Sequence, residues 1–235
     1  MKLPDRIYHL AEASNWPSIR CHGLLSASRL IKATELTKTD RDRLERGQRL
    51  THTELSGGVQ IRDQRPMSPA ALKRCLCDME PADWYAMINA RVFFWLDVDR
   101  LNRQKAACEP RPQVVMAVNT AALVAAYEKR VAVTPINTGN ARRKPALRGV
   151  ATFVPLAEWV RSGWASEAAA LGIPSRKESH QPVELTVTDA VPDIMRFVVG
   201  IFALPSGQSF DERRRVGKID AIGPTPWSAG ALNAV

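Results

Sequence analysis

Cysteine and histidine are scarce in this chain, with four of each in 235 residues. Cys21, Cys75, Cys77 and Cys108 include no Cys-x-x-Cys pair, so the usual zinc clamps are not encoded. Four reduced thiols in a cytoplasmic protein are expected, with no metal site. No apolar run approaches the ~18 residues of a membrane span. The longest one near the end, Phe197 to Leu204, is strand-sized and contains Gly200. A secretory leader is not expected, because Pro4 and Asp5 stand where its apolar segment should be. There is no internal repeat, no Gly-x-Gly-x-x-Gly and no Walker-type loop, which disfavours two common nucleotide-binding designs.

What is present is positive charge. Lys plus Arg number 33 against 24 Asp plus Glu, a formal net charge of +9. Such a balance favours polyanionic partners, nucleic acid first. With 45% hydrophobic and 24% charged residues, the chain has the composition of an ordinary globular protein.

The order of elements starts with a strand at Ile7 to Leu10. A helix follows, capped by Ser14 or Asn15, with Pro17 in its first turn and Gly23 at its end. Leu24 to Leu36 and Thr39 to Leu50 read as helices, and Ser68-Pro69 opens another. A short helix from Pro81 carries Trp84, Met87 and Ile88. The aromatic run Arg91 to Leu96 has strand character. Asp97 caps a helix bearing Val98 and Leu101, with Arg100, Arg103 and Lys105 exposed. Strands are expected at Val114 to Val118, Arg130 to Thr134, Val150 to Val154, Val183 to Val187 and Arg196 to Leu204. Short helices are expected through Tyr127 and from Pro155 to Gly163. Strands and helices do not alternate strictly, so an α+β domain with a mixed or split sheet and peripheral helices is expected rather than a doubly wound one. Residues 1–204 are read as one domain and 205–235 as a Pro/Gly-rich basic tail, partly ordered at best.

Several residues are candidates for chemistry. His9 sits inside an apolar strand beside Tyr8, where it is either a core histidine or a cleft residue able to hold a hydroxyl. Alternation puts Glu184, Thr186 and Thr188 opposite Val183, Leu185 and Val187, so Glu184 is either a solvated edge residue or a cleft carboxylate. Phe93, Phe94 and Trp95 are mostly core, with one ring free to stack on a base or nicotinamide. Asn137, Asn140, Arg142, Arg143 and Lys144 stand in a polar basic loop suited to phosphate contact, or form a plain solvated turn.

Taken together, Tyr8-His9-Leu10, Trp16-Pro17-Ser18-Ile19, His22-Gly23-Leu24-Leu25, Val92-Phe93-Phe94-Trp95, Asn137-Thr138-Gly139-Asn140-Ala141 and Pro182-Val183-Glu184-Leu185-Thr186-Val187 resemble, in order and spacing, the motifs of DarT-type DNA ADP-ribosyltransferases over residues 7 to 195. A closer kinship to bacterial proteins sharing the Val92 to Trp95 strand is also expected. The resemblance implies a single ADP-ribosyltransferase-like domain with NAD as the ADP-ribose donor. It implies that His9 orients the ribose and that Glu184 is the catalytic carboxylate. Tyr8, Phe94 and Trp95 would lie against the cofactor. An arginine would hold the diphosphate, Arg100 by position, with Arg62 and Arg65 as rivals; the Pro-Arg-Ser-Pro-Met context of the family's arginine is missing here. The implied acceptor is single-stranded DNA or RNA, met by Asn137, Asn140, Arg142, Arg143 and Lys144. A role as a toxin or phage-defence effector, with an antitoxin partner, goes with it. Transfer to protein, a non-catalytic binding module of the same fold, and 2′-phosphotransfer remain open as alternatives.

Overall fold

The computed structural model describes residues 2–142 and 144–212. Arg143 and the basic cluster Arg213-Arg214-Arg215 lie outside the described residues, as does the expected tail from 213 onward.

Eleven strands are seen among the described residues: β1 (Arg6–Glu12), β2 (Leu24–Leu25), β3 (Thr53–Glu54), β4 (Gln60–Ile61), β5 (Arg91–Trp95), β6 (Gln113–Asn119), β7 (Val131–Thr134), β8 (Val154–Pro155), β9 (Glu184–Thr188), β10 (Ala190–Val191) and β11 (Val198–Leu204). Nine helices accompany them: α1 (Trp16–His22), α2 (Ala27–Lys32), α3 (Lys38–Arg46), α4 (Pro69–Lys73), α5 (Pro81–Asn89), α6 (Val98–Ala107), α7 (Thr120–Tyr127), α8 (Leu156–Ser162) and α9 (Ala165–Leu171). The fold is α+β.

Seven strands form one sheet in the order β11-β6-β1-β5-β9-β7-β8. All its pairings are antiparallel, so the sheet is not mixed. It is split. β1 pairs with β6 along its whole length, and β5 with β9 along its whole length, but β1 and β5 meet in register only at Tyr8 and Trp95. From that single bridge the two halves part. Strand β2 pairs with β10, and β3 with β4, as separate two-stranded ribbons.

Alternation along the strands sorts the core into two faces. Ile7, Ala11, Val114, Met116, Phe94, Leu185 and Val187 pack on one face with Trp16, Leu123 and Trp159 from α1, α7 and α8. Tyr8, Leu10, Val115 and Ala117 pack on the other with Leu101 of α6 and with Phe202 and Phe210. Farther along that second face, Trp84, Tyr85 and Ile88 of α5 pack with Leu72 of α4 and with Phe153.

Local chemistry accounts for most boundaries. Ser68, Asp97 and Asn119 each accept a hydrogen bond from the backbone N–H three residues on, as N-caps do. Asn15 precedes α1 but its amide does something else: it pairs with both the N–H and the C=O of Gln60, at 2.7 and 2.8 Å, and ties the β3–β4 ribbon to the sheet. Leu24-Leu25 is strand rather than helix, because Gly23 reverses the chain at φ +73 and delivers it to β10. A Cβ at Gly23 would lie 2.3 Å from the Pro192 carbonyl oxygen, so only glycine fits there. Val150–Thr152 is a 3-10 turn instead of a strand, with the Thr152 hydroxyl accepting from Gly149 N–H. Lys105 is buried instead of exposed, paired with Glu109. Helix α9 forms at Ala165–Leu171, where the sequence marks no element. Beyond Leu204 the chain folds back, with Phe210 packed 5.4 Å from Tyr8 and 5.0 Å from Phe202.

Candidate functional site

The parting of β1 from β5 opens a cavity of about 690 Å³. His9 and Glu184 both line it, together with Phe93, Trp95, Arg62, Arg100, Asn137, Asn140 and Arg142. Four other expected contacts are not there. Tyr8 points to the opposite side of its strand, buried against Phe210, and its hydroxyl donates to Glu212. Phe94 is a core residue, 1% exposed, and its neighbours Phe93 and Trp95 face the cavity instead. Strand alternation forces this: Phe93 and Trp95 share one face and Phe94 takes the other. Lys144 is exposed and does not reach the cavity, and neither does Arg65, whose Nε donates to the Leu50 carbonyl. Arg143 lies outside the described residues.

His9 spans the gap between the separated strands. Its Nδ1 is 2.8 Å from the carbonyl oxygen of Phe93, a group that β1 would pair in a continuous sheet. A carbonyl only accepts, so Nδ1 carries the hydrogen and Nε2 keeps a lone pair. Burial pushes the imidazole pKa down to about 4, with the Arg62 charge adding to the depression and the Phe93 bond opposing it. His9 is therefore neutral at physiological pH and offers an acceptor nitrogen.

Glu184 is the first residue of β9, in register with Trp95 on one side and Thr134 on the other. It is 4% exposed. Its carboxyl receives the Thr138 hydroxyl at 2.9 Å and the Thr138 N–H at 3.2 Å, and lies 2.9 Å from the Thr134 hydroxyl. The Thr134 oxygen is also 2.8 Å from the Ile136 carbonyl. A hydroxyl has one hydrogen. If it goes to Ile136, the carboxyl must supply the hydrogen between Glu184 and Thr134, which requires the neutral acid. Burial raises the Glu184 pKa to about 7, against the hydrogen bonds from Thr138 and Thr134 and the charge of Arg148. Arg148 is itself buried, reaching the Thr138 carbonyl at 3.4 Å. It thus braces the loop that holds Glu184.

Glu12, three residues after His9, organises the other end. It is 3% exposed and meets Arg62 at 3.0 Å and Arg111 at 3.3 Å. Gln113 donates to Glu12 and accepts from Arg62, closing the network. Burial works to raise the Glu12 carboxyl, but Arg62, Gln113 and Arg111 outweigh it and hold it below its ordinary range. Arg49 lines the cavity nearby, bonded to the Leu44 and Arg62 carbonyls and to Asn89, with its pKa pushed down to about 10 by burial. Arg91 lies 4.2 Å over the Phe153 ring and donates to Thr188. In all, seven arginines line the cavity against three carboxylates: Glu12, Asp63 and Glu184.

Glu12, Thr134, Arg49, Arg91, Arg111 and Arg148 carry no motif that marks them in the sequence. The one available signal was Glu12, an acid closing an otherwise apolar strand. Among the described residues no helix is long and apolar enough to cross a membrane, and no group of three His, Cys, Asp or Glu residues is placed to hold a metal.

The architecture is that of an α+β protein whose split antiparallel sheet opens on an arginine-lined cavity. Residues 5–198 match the family of unknown function DUF7002, and the chain belongs to that family. None of the curated proteins matches it.

Proposed function

We propose that the protein is an NAD-dependent ADP-ribosyltransferase acting on single-stranded nucleic acid. The observation that carries this reading is that a neutral imidazole and a buried carboxyl, 175 positions apart in sequence, line one cavity rich in arginine. A volume of about 690 Å³ is in the range of cofactor-sized pockets. The guanidinium groups suit a diphosphate. The resemblance to DarT-type enzymes adds support from the order of the motifs.

The roles follow from the chemistry of each group. His9 Nε2 accepts a ribose hydroxyl and sets the sugar's orientation. Phe93 or Trp95 offers a ring face to the nicotinamide. Glu184, once ionised, stabilises positive charge developing on the ribose C1′. The bond from C1′ to the nicotinamide nitrogen breaks and nicotinamide leaves neutral. A bond from C1′ to an acceptor atom forms, and Glu184 takes the proton which that atom loses. A base must be unpaired to enter such a cavity, so a single strand is the cheaper acceptor.

The test is incubation with NAD labelled in its adenylate, together with single-stranded DNA, RNA or protein. Label is expected in a nucleic-acid fraction with release of nicotinamide. Label in protein would move the reading to protein modification, and binding without nicotinamide release would mark a non-catalytic module.

A further inference from the structure

Resting on the nucleic-acid reading above, we infer that one face of α6 is the track for the acceptor strand's phosphate backbone. Arg100, Arg103 and Ala107 stand at positions i, i+3 and i+7, the spacing that puts residues on one helix face, and all three line the cavity. Arg111, just past the helix end, continues the row. Leu101 and Lys105 are buried on the other side of the helix, and Gln104, which also lines the cavity, accepts from the Trp95 indole at 2.6 Å.

Pairing separates Arg100 and Arg103 from the other arginines in the cavity. Arg62 and Arg111 share Glu12, and Arg49 is consumed by carbonyls and Asn89. Arg100 and Arg103 have no ion pair among the described residues, nor has Arg142 of the Asn137–Arg142 loop. Such charges gain most from a ligand that brings its own anions.

Spacing identifies the ligand. Arg100 and Arg103 stand about 4.5 Å apart along the helix axis, and Arg111, its charge shared with Glu12, stands beyond Ala107 past the helix end. A dinucleotide carries its diphosphate at one point, two phosphorus centres sharing an oxygen. A row of separated cations calls for separated phosphates, as a polynucleotide strand supplies. A duplex is too wide for the cavity, so the strand is single. Trp95, the register partner of Glu184, meets Gln104 between Arg103 and Ala107, so a strand on α6 passes the proposed catalytic carboxyl. The sequence motifs point to nucleic-acid contacts on the 137–144 loop alone; of that loop, Asn137, Asn140 and Arg142 also line the cavity.

The experiment is fluorescence anisotropy with labelled oligo(dT) and oligo(U) of about a dozen nucleotides, over a range of salt. Arg103→Glu is compared with Lys129→Glu, an equal change of charge at an exposed residue outside the cavity. Arg103→Glu is expected to weaken binding at least tenfold and to flatten the salt dependence, with Lys129→Glu within about twofold of the parent. A preference for one oligonucleotide assigns DNA or RNA. Equal losses in the two variants, or none in either, overturn the track. A loss of NAD affinity in Arg103→Glu as large as the loss for oligonucleotides also overturns it, since the row would then serve the dinucleotide. Tight, Arg103-dependent binding by a protein that releases no nicotinamide keeps the track and contradicts the transferase reading.

Discussion

His9 and Phe93 are joined by a hydrogen bond of 2.8 Å across the gap where β1 and β5 have separated. The imidazole does for the Phe93 carbonyl what a neighbouring strand would have done. The cost of opening the sheet is thereby reduced at the place where the cavity begins. His9→Ala leaves that carbonyl without its partner and is expected to destabilise the fold by about 1–3 kcal/mol. His9→Gln, which can still donate, recovers part of the loss. Urea denaturation of the three proteins at pH 7.5 measures both effects.

Glu184 makes the fold sensitive to pH in one direction. Its folded pKa of about 7 lies above the ordinary 4.5, so the protonated form is favoured by folding. The stability it contributes is complete below about pH 4.5 and is lost as pH rises through 7. Glu184→Gln, which cannot ionise, is expected to be more stable than the parent by about 2–3 kcal/mol at pH 8 and equal to it at pH 4.5. An equal difference at both pH values would contradict the buried neutral acid.

His9 works in the opposite direction. Its folded pKa of about 4 lies below the ordinary 6.5, so its contribution is complete above 6.5 and is lost as pH falls through 4. Between 4.5 and 6.5 the two slopes oppose each other. The parent protein is expected to show a flat stability profile in that window. Glu184→Gln should lose stability on acidification there, and His9→Gln should gain it. Denaturation midpoints taken at half-unit intervals of pH read the three slopes.

How much of this was legible beforehand depends on what each residue answers to. Asp97, Ser68 and Asn119 cap helices through contacts with their own near neighbours, and those helices read directly. The Val92 to Trp95 and Glu184 to Val187 strands were legible from alternation. The resemblance puts Tyr8 and Phe94 against the cofactor, but alternation in a strand turns each of them away from the neighbour that lines the cavity. Asn15 was read as a cap because capping is local, whereas its partner Gln60 is 45 positions away. Arg111, Arg148 and Thr134 act only through partners that the tertiary fold brings to them, so nothing near them in sequence marks their roles.

Gly23 holds the turn that brings Leu24 and Leu25 to β10 and to the cavity wall. Gly23→Ala forces a Cβ against the Pro192 carbonyl in a backbone conformation that alanine resists. A loss of about 2 kcal/mol or more is expected, from strain and steric overlap together. Thermal melting tests it, and an unchanged midpoint would show that the turn relaxes freely.

The most direct measurement of the central claim is the rate of nicotinamide release from NAD, in the presence of single-stranded nucleic acid, for the parent protein and for Glu184→Gln across pH 5.5 to 8.5. The account predicts a parent rate that rises with pH through about 7 as Glu184 ionises, and a variant that keeps its fold but falls by roughly a hundredfold or more. A variant that releases nicotinamide as fast as the parent would contradict it.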